Sequence, residues 1–189
     1  MHVGPRPVIY PVHREVLNQS SPLASRCDSF NGNFRLALPD VDPKVFGLVV
    51  DFLYRGTYEL FPLGLGEGYE SEFRNHALVY TLAGKYDLGR LRDLAVRKME
   101  ILKKLDFTTL LTIAKEVYPN LPSDDVWFRN HLVIEASWAS KENKNLAQKA
   151  WILDIFQNVG GMLAVDLFTA LAKRQDSSPS KIPLSFLKI

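Results

Sequence analysis

With 189 residues, a net charge of +2, 47% hydrophobic and 23% charged residues, the chain has enough apolar content for a real core. It is too evenly charged to be a disordered tract or a nucleic-acid polycation. One cysteine, Cys27, excludes an internal disulfide and fits a reducing compartment, cytosol or nucleus.

The start, MHVGPRPVIYPVHREVL, has prolines, His13, Arg14 and Glu15 where an export signal needs an unbroken apolar run, so none is expected. Asp51, Lys85, Asp154 and Asp166 interrupt every stretch that approaches the roughly 18 apolar residues of a membrane helix. The reading is therefore of a soluble protein with no membrane partner.

PVIYPVH reads as a strand limited by its prolines, and REVLNQSSPLASRCDSF as two short helices parted near Ser20 to Pro22. NFRLALPD alternates Phe34, Leu36 and Leu38 on one side, as a half-buried strand does. Asp42 before Pro43 is a helix start, because the carboxylate accepts the free amides of the first turn and proline needs none.

In that helix Phe46, Val49, Val50 and Leu53 recur at i, i+3, i+4 and i+7, while Val45, Leu48, Phe52 and Tyr54 cover a second flank. Burial by more than one neighbour follows. Gly56 ends the helix in the left-handed conformation, and Thr57 to Leu60 read as a short strand.

PLGLGEGYES reads as a flexible loop. Val79, Leu82, Ala83 and Tyr86 mark a helix ending at Asp87 to Gly89, and Leu91, Leu94, Ala95, Met99 and Leu102 mark the next. Asp106 caps a third, with Phe107, Leu110, Leu111 and Ala114 on one face until Pro119 stops it. Asp124 is expected to cap a fourth, carrying Trp127, Ile134 and Trp138 on one face. Leu146 to Phe156 and Gly161 to Lys173 complete the set. The fold class is α+β, mostly α: a small sheet packed by helices over residues 1–104, a helical extension over 105–174, and a flexible tail over 175–189.

The pieces VHREVL, SPLASR, LPDVDPKVFGLVVDFLYRGTYEL and LAGKYDLGRLRDLA occur in an order that resembles the BTB/POZ domain over about residues 8 to 102. The proline-bracketed start and long helical tail are similar to versions common in filamentous fungi. The resemblance implies a non-enzymatic protein–protein interaction module, an adaptor or scaffold that self-associates or joins a cullin-type ubiquitin ligase or transcriptional co-repressors. Members usually carry a strand before the VH segment; here only MHVGPRP precedes Val8, so that strand is expected to be missing or truncated. Cullin-binding members carry an apolar residue, any residue, then glutamate where this chain has Phe34-Arg35-Leu36, so the glutamate is absent.

No catalytic, cofactor-binding or metal residue is expected. His2, His13, His76 and His131 lie far apart and lack ligand spacing, and His13 reads as a partly buried structural residue. No GxSxG motif surrounds a serine, and Cys27 has Arg26 and Asp28 beside it, with no net reason for a reactive thiolate. Gly64, Gly66 and Gly68 break GxGxxG spacing. Asp40/Asp42 and Asp124/Asp125 sit where helices begin.

Arg90, Arg97 and Lys104 are seven residues apart and would line one helical stripe, which makes a transcription-related, nucleic-acid-associated regulator the rival reading; a solvated helix face is the plainer account. The protein-binding candidates are Val8, Ile9, Tyr10, Phe34, Tyr58, Glu59 and Leu60. An unpaired sheet edge is expected near Val8 to Tyr10.

Overall fold

The structure is a computed structural model that describes residues 1–30, 33–60, 68–102, 104–143, 146, 149–155, 157 and 161–172. The glycine-rich stretch 62–67 and the tail 175–189 fall outside them. The described residues form two compact units, Met1–Asp124 and Asp125–Ile189. The sequence boundary at 104/105 thus lies within the first unit, because the helix that follows Asp106 packs on an earlier helix of that unit.

The first unit opens with β1 (His2–Val3) and β2 (Val8–Ile9), followed by the short helices α1 (Arg14–Leu17) and α2 (Ser21–Ala24). A two-stranded ribbon, β3 (Asp28–Phe30) and β4 (Asn33–Arg35), leads into β5 (Ala37–Leu38). The main sheet has the order β2-β1-β5: His2 pairs with Ile9 and Val3 with Val8 antiparallel, and the same two residues pair with Ala37 and Leu38 in parallel.

A first strand is thus present, two residues long, where one was expected to be missing or truncated. His2–Val3 is the central strand, locked on one side by bonds between Met1 and Tyr10 and on the other by His2 N–H to Leu36 O (2.8 Å). Two residues are too few to show alternation, which is why the sequence hid them.

Helix α3 (Pro43–Arg55) forms for the reasons its sequence gives. The Asp42 carboxylate accepts from Lys44 N–H (2.8 Å), and Gly56 stops the helix at φ 72°, its N–H bonded to Phe52 O. Val45, Phe46, Val49, Phe52 and Leu53 are buried, Leu48 and Val50 half-buried, and Tyr54 is left exposed. Tyr10 fastens the sheet to this helix: its hydroxyl donates to Pro43 O (2.6 Å) and its ring stands edge-on to Phe46. Gln19 Nε2 donates to Leu53 O, and Ser20 Oγ donates to Tyr86 O (2.6 Å), which clamps α1 and α2 against the end of α3 and the turn after the next helix.

Residues Thr57 to Leu60 form no strand, contrary to the sequence reading; Tyr58 instead turns wholly inward. Next come α4 (Tyr69–Lys85), α5 (Gly89–Glu100), α6 (Phe107–Val117) and a 3-10 turn (Tyr118–Asn120). Helix α4 is the hub, packed by α3, α5 and α6. Asp106 caps α6 through Thr108 and Thr109 N–H, as expected.

The second unit holds α7 (Trp127–Glu142), α8 (Ala150–Asp154) and α9 (Gly161–Ala172). Asp124 does not cap α7; Val126 occupies that position, and Asp125 accepts from Arg129 N–H (3.2 Å). α7 and α9 pack together, joined by a bidentate pair in which Arg129 Nε and Nη2 donate to Asp166 at 2.8 and 2.9 Å. The acidic residue is buried, and the two-pronged geometry satisfies both carboxylate oxygens.

Gly84 shows how closely α4 is approached: a Cβ there would stand 2.5 Å from Pro122 Cγ. Gly84→Ala is expected to lower unfolding free energy by about 1–3 kcal/mol, read by urea denaturation, because the proline ring cannot yield. An unchanged midpoint would contradict this packing.

Candidate functional site

The predicted contact residues separate into three environments. Val8 and Ile9 are exposed, Ile9 by 68%, on the outer strand of the sheet. Because Met1 and Tyr10 exchange backbone bonds, the ladder alternation directs the Ile9 N–H and C=O away from β1. Pro7 and Pro11 flank this edge and restrict ladder growth to that one residue, so side chains rather than backbone would dominate any contact there. Tyr10 is committed to α3. The Phe34 backbone lies in β4, paired opposite Ser29.

Tyr58, Glu59 and Leu60 form no strand edge. Tyr58 is fully buried, and its hydroxyl lies 2.8 Å from His76 Nδ1 with the two rings edge-on. Lys98 sits over the Tyr58 ring at 5.2 Å and pairs with exposed Glu59 at 3.6 Å; Leu60 is half-buried. Burial, then the charge of Lys98, pulls the His76 pKa down to about 4, so the ring is neutral at pH 7. Burial, reinforced by Glu59, raises that of Tyr58, so the phenol keeps its proton and can donate to Nδ1. The His76 Nε2 side faces Glu72 at 3.7 Å. This arrangement ties the segment after α3 to α4 and α5, and it is a structural lock.

His13 is exposed, rather than partly buried, with Nδ1 2.6 Å from the Tyr54 hydroxyl. A cleft of about 160 Å³ lies among Asp40, Asp42, Val45, Leu82, Lys85 and Glu116. Two of its carboxylates have local duties: Asp42 caps α3 and Glu116 takes Arg74 Nε at 2.7 Å. Among the described residues no three His, Cys, Asp or Glu side chains are arranged to hold a metal ion, and no helix is long and apolar enough to cross a membrane.

Rows of exposed apolar side chains also lie where the sequence reading named no site. On α9, Leu163, Asp166, Leu167 and Ala170 face inward, while Met162, Val165 and Phe168 are 51%, 54% and 65% exposed on the opposite side. On α7, Ile134 and Trp138 are exposed opposite the buried Phe128, Leu132, Ala136 and Ser140. The signal was legible: α9 is apolar on both faces, and its one charge, Asp166, is spent inside.

Residues 12–105 match the HAC6 N-terminal domain, and residues 106–162 match the HAC6 small helical domain. The chain belongs to the HAC6 family. This overturns the BTB/POZ resemblance, since the same residues are taken by HAC6 models. The resemblance rested on the order of four short segments, VHREVL, SPLASR, LPDVDPKVFGLVVDFLYRGTYEL and LAGKYDLGRLRDLA, and not on one decisive motif. Among curated proteins, the HAC6 chain is similar to a subtelomeric hrmA-associated cluster protein found in two strains of Aspergillus fumigatus, 29% identical over 127 residues. That similarity covers 65% of this chain and 31% of the relative, so the chain spans about a third of the relative's length. No solved structure matches.

For the HAC6 lock, the unfolded chain takes a proton on His76 near pH 6.5 and the folded chain only near pH 4. The stabilisation is therefore whole above pH 6.5 and is lost as pH falls toward 4, about 3 kcal/mol in all. His76→Gln should flatten the fall in urea-derived stability between pH 7 and pH 4.5; an unaltered slope would contradict the lock. Two of the buried tyrosines should differ: Tyr86 Oη has no hydrogen-bond partner among the described residues, so Tyr86→Phe is expected to leave stability equal or higher, whereas Tyr58→Phe should cost about 1 kcal/mol. Equal losses in thermal melts would contradict the assignment.

Proposed function

We propose that this HAC6 chain is a non-enzymatic protein–protein interaction module, a scaffold or adaptor whose principal contact surface is the outward face of α9. The observation that carries the reading is the uncharged row Met162, Val165 and Phe168, each more than half exposed on a helix already packed on its other side. Exposed apolar side chains in a continuous row favour association, because covering them removes apolar area from water at about 25 cal/mol per Å². The partner that fits is the apolar face of a helix from another protein. Val8 and Ile9 offer a smaller contact on the first unit.

Structural duties support the absence of chemistry of its own: the titratable side chains of the Tyr58–His76 cluster, the α3 cap and the Arg129–Asp166 pair are all engaged in holding elements together. The reducing environment suited to Cys27 supports cytosol or nucleus as the compartment of this role. The cullin reading rested on the BTB/POZ resemblance and falls with it. Nucleic-acid contact through α5 has weaker support, because Asp93 and Glu100 share the exposed surface with Arg90 and Arg97.

The paired substitution Val165→Glu with Phe168→Glu is expected to remove at least about tenfold of the partner recovered from native extract, leaving the thermal melt of the chain unchanged. Recovery of the same proteins at the same level by the folded variant would contradict the reading.

A further inference from the structure

Helix α9 and the sequence that follows it carry complementary patterns. The outward row Met162, Val165 and Phe168 continues to exposed Ala172, so it runs along the helix to the point where residues 173–189 begin. The one charged side chain of α9, Asp166, is buried and bonded to Arg129, so covering this row strips water from no ion.

Two features of the following sequence match the row. Residues 173–181, KRQDSSPSK, are charged or polar apart from Pro179 and make a linker. Ile182, Leu184 and Phe186 then alternate with Pro183 and Ser185. Proline disfavours a helical conformation at the residue before it, and in an extended chain this alternation puts three apolar side chains on one side.

We infer that Ile182, Leu184 and Phe186 of the chain's own tail lie along the Met162–Val165–Phe168 row, and that a partner must displace them to bind there. The lengths agree: Met162 to Ala172 covers roughly 15 Å of helix, and Ile182 to Phe186, extended, covers roughly 13 Å. A flexible linker of nine residues spans about 15–18 Å, so the segment reaches any part of the row.

Tethering decides between this segment and its equivalent from a second copy. Within one chain the effective concentration is on the order of millimolar, well above that of another copy at micromolar concentration. A contact too weak to hold a separate peptide therefore closes in cis. Partner affinity is reduced by the fraction of chains left open, which makes the tail a regulator of the α9 surface.

The inference rests on α9 being a contact surface, and the two fail separately. Limited digestion of the full chain by chymotrypsin, with cleavage after Phe186 followed by mass spectrometry, tests the closure, because such cutting tracks the open population. A synthetic peptide of residues 178–189 gives the unprotected rate. The expected result is cleavage at least about tenfold slower in the chain than in the peptide, at any protein concentration from about 1 to about 100 μM. Val165→Glu with Phe168→Glu should restore the peptide's rate, whereas Ile134→Glu on α7 should not, with circular dichroism reporting intact helices in both.

A second measurement leaves α9 unaltered. Leu184→Asp with Phe186→Asp should raise the fluorescence of the apolar dye ANS at least about threefold by uncovering the row. Cleavage as fast in the chain as in the peptide, protection that grows with protein concentration, release by Ile134→Glu alone, or unchanged dye fluorescence would overturn the inference. An unprotected tail with partner recovery still lost in the α9 variant overturns the closure alone; a protected tail with recovery unaffected by that variant overturns the contact reading alone.

Discussion

The first unit depends on one constraint: α3 is too apolar to face water on either flank and too short to stand alone. Thirteen residues are a marginal helix in isolation, so its stability comes from tertiary burial. Phe46 and Val49 are wholly enclosed, and Val45, Phe52 and Leu53 nearly so. The helix must therefore be covered by α4 on one side and by the sheet, through Tyr10, on another. Once it is, the elements around it are fixed by single bonds, among them Ser20 to Tyr86 and Gln19 to Leu53. Among the described residues, the Tyr86 hydroxyl is the one buried side-chain polar atom that this core leaves without a hydrogen-bond partner.

Where a signal is local, the sequence discloses it. The Asp42-Pro43 start, the Gly56 stop, the Asp106 cap and the two-flank pattern of α3 each follow from neighbours a few residues away, and each is seen in the structure. Long-range pairing is what remained hidden. His2–Val3 becomes a strand only because Leu36 to Leu38 lie beside it, and Tyr58 leaves its expected strand because His76, eighteen residues on, offers a buried acceptor. Of the expected contact residues, Val8 and Ile9 are on the surface, Tyr10 is half-buried and bonded to α3, and Tyr58 is spent inside, while the α9 row lies on a helix for which the sequence reading named no site. The family resemblance failed for a related reason, since the order of a few short segments such as VHREVL and SPLASR does not decide which family arranged them.

The two units divide the work. In the first, the charged and polar side chains are used to lock the chain: the interior has a neutral histidine and a protonated tyrosine, while the exposed carboxylates Asp42 and Glu116 are held by a helix cap and an arginine. In the second, the Arg129–Asp166 pair fixes α7 to α9 and leaves both helices with apolar outer faces. A helix pair that presents such faces on both sides is built to be covered. That physical situation, rather than any reacting group, is the basis of the binding role proposed for this HAC6 chain.

The most direct measurement is site-specific photocrosslinking in the native cell, with a photoreactive residue placed at Phe168 in one chain and at Ile101, the more exposed apolar position of the first unit, in another. The account predicts that position 168 yields a discrete covalent adduct with a protein partner and position 101 does not. Adducts equal at the two positions, or confined to 101, would contradict it.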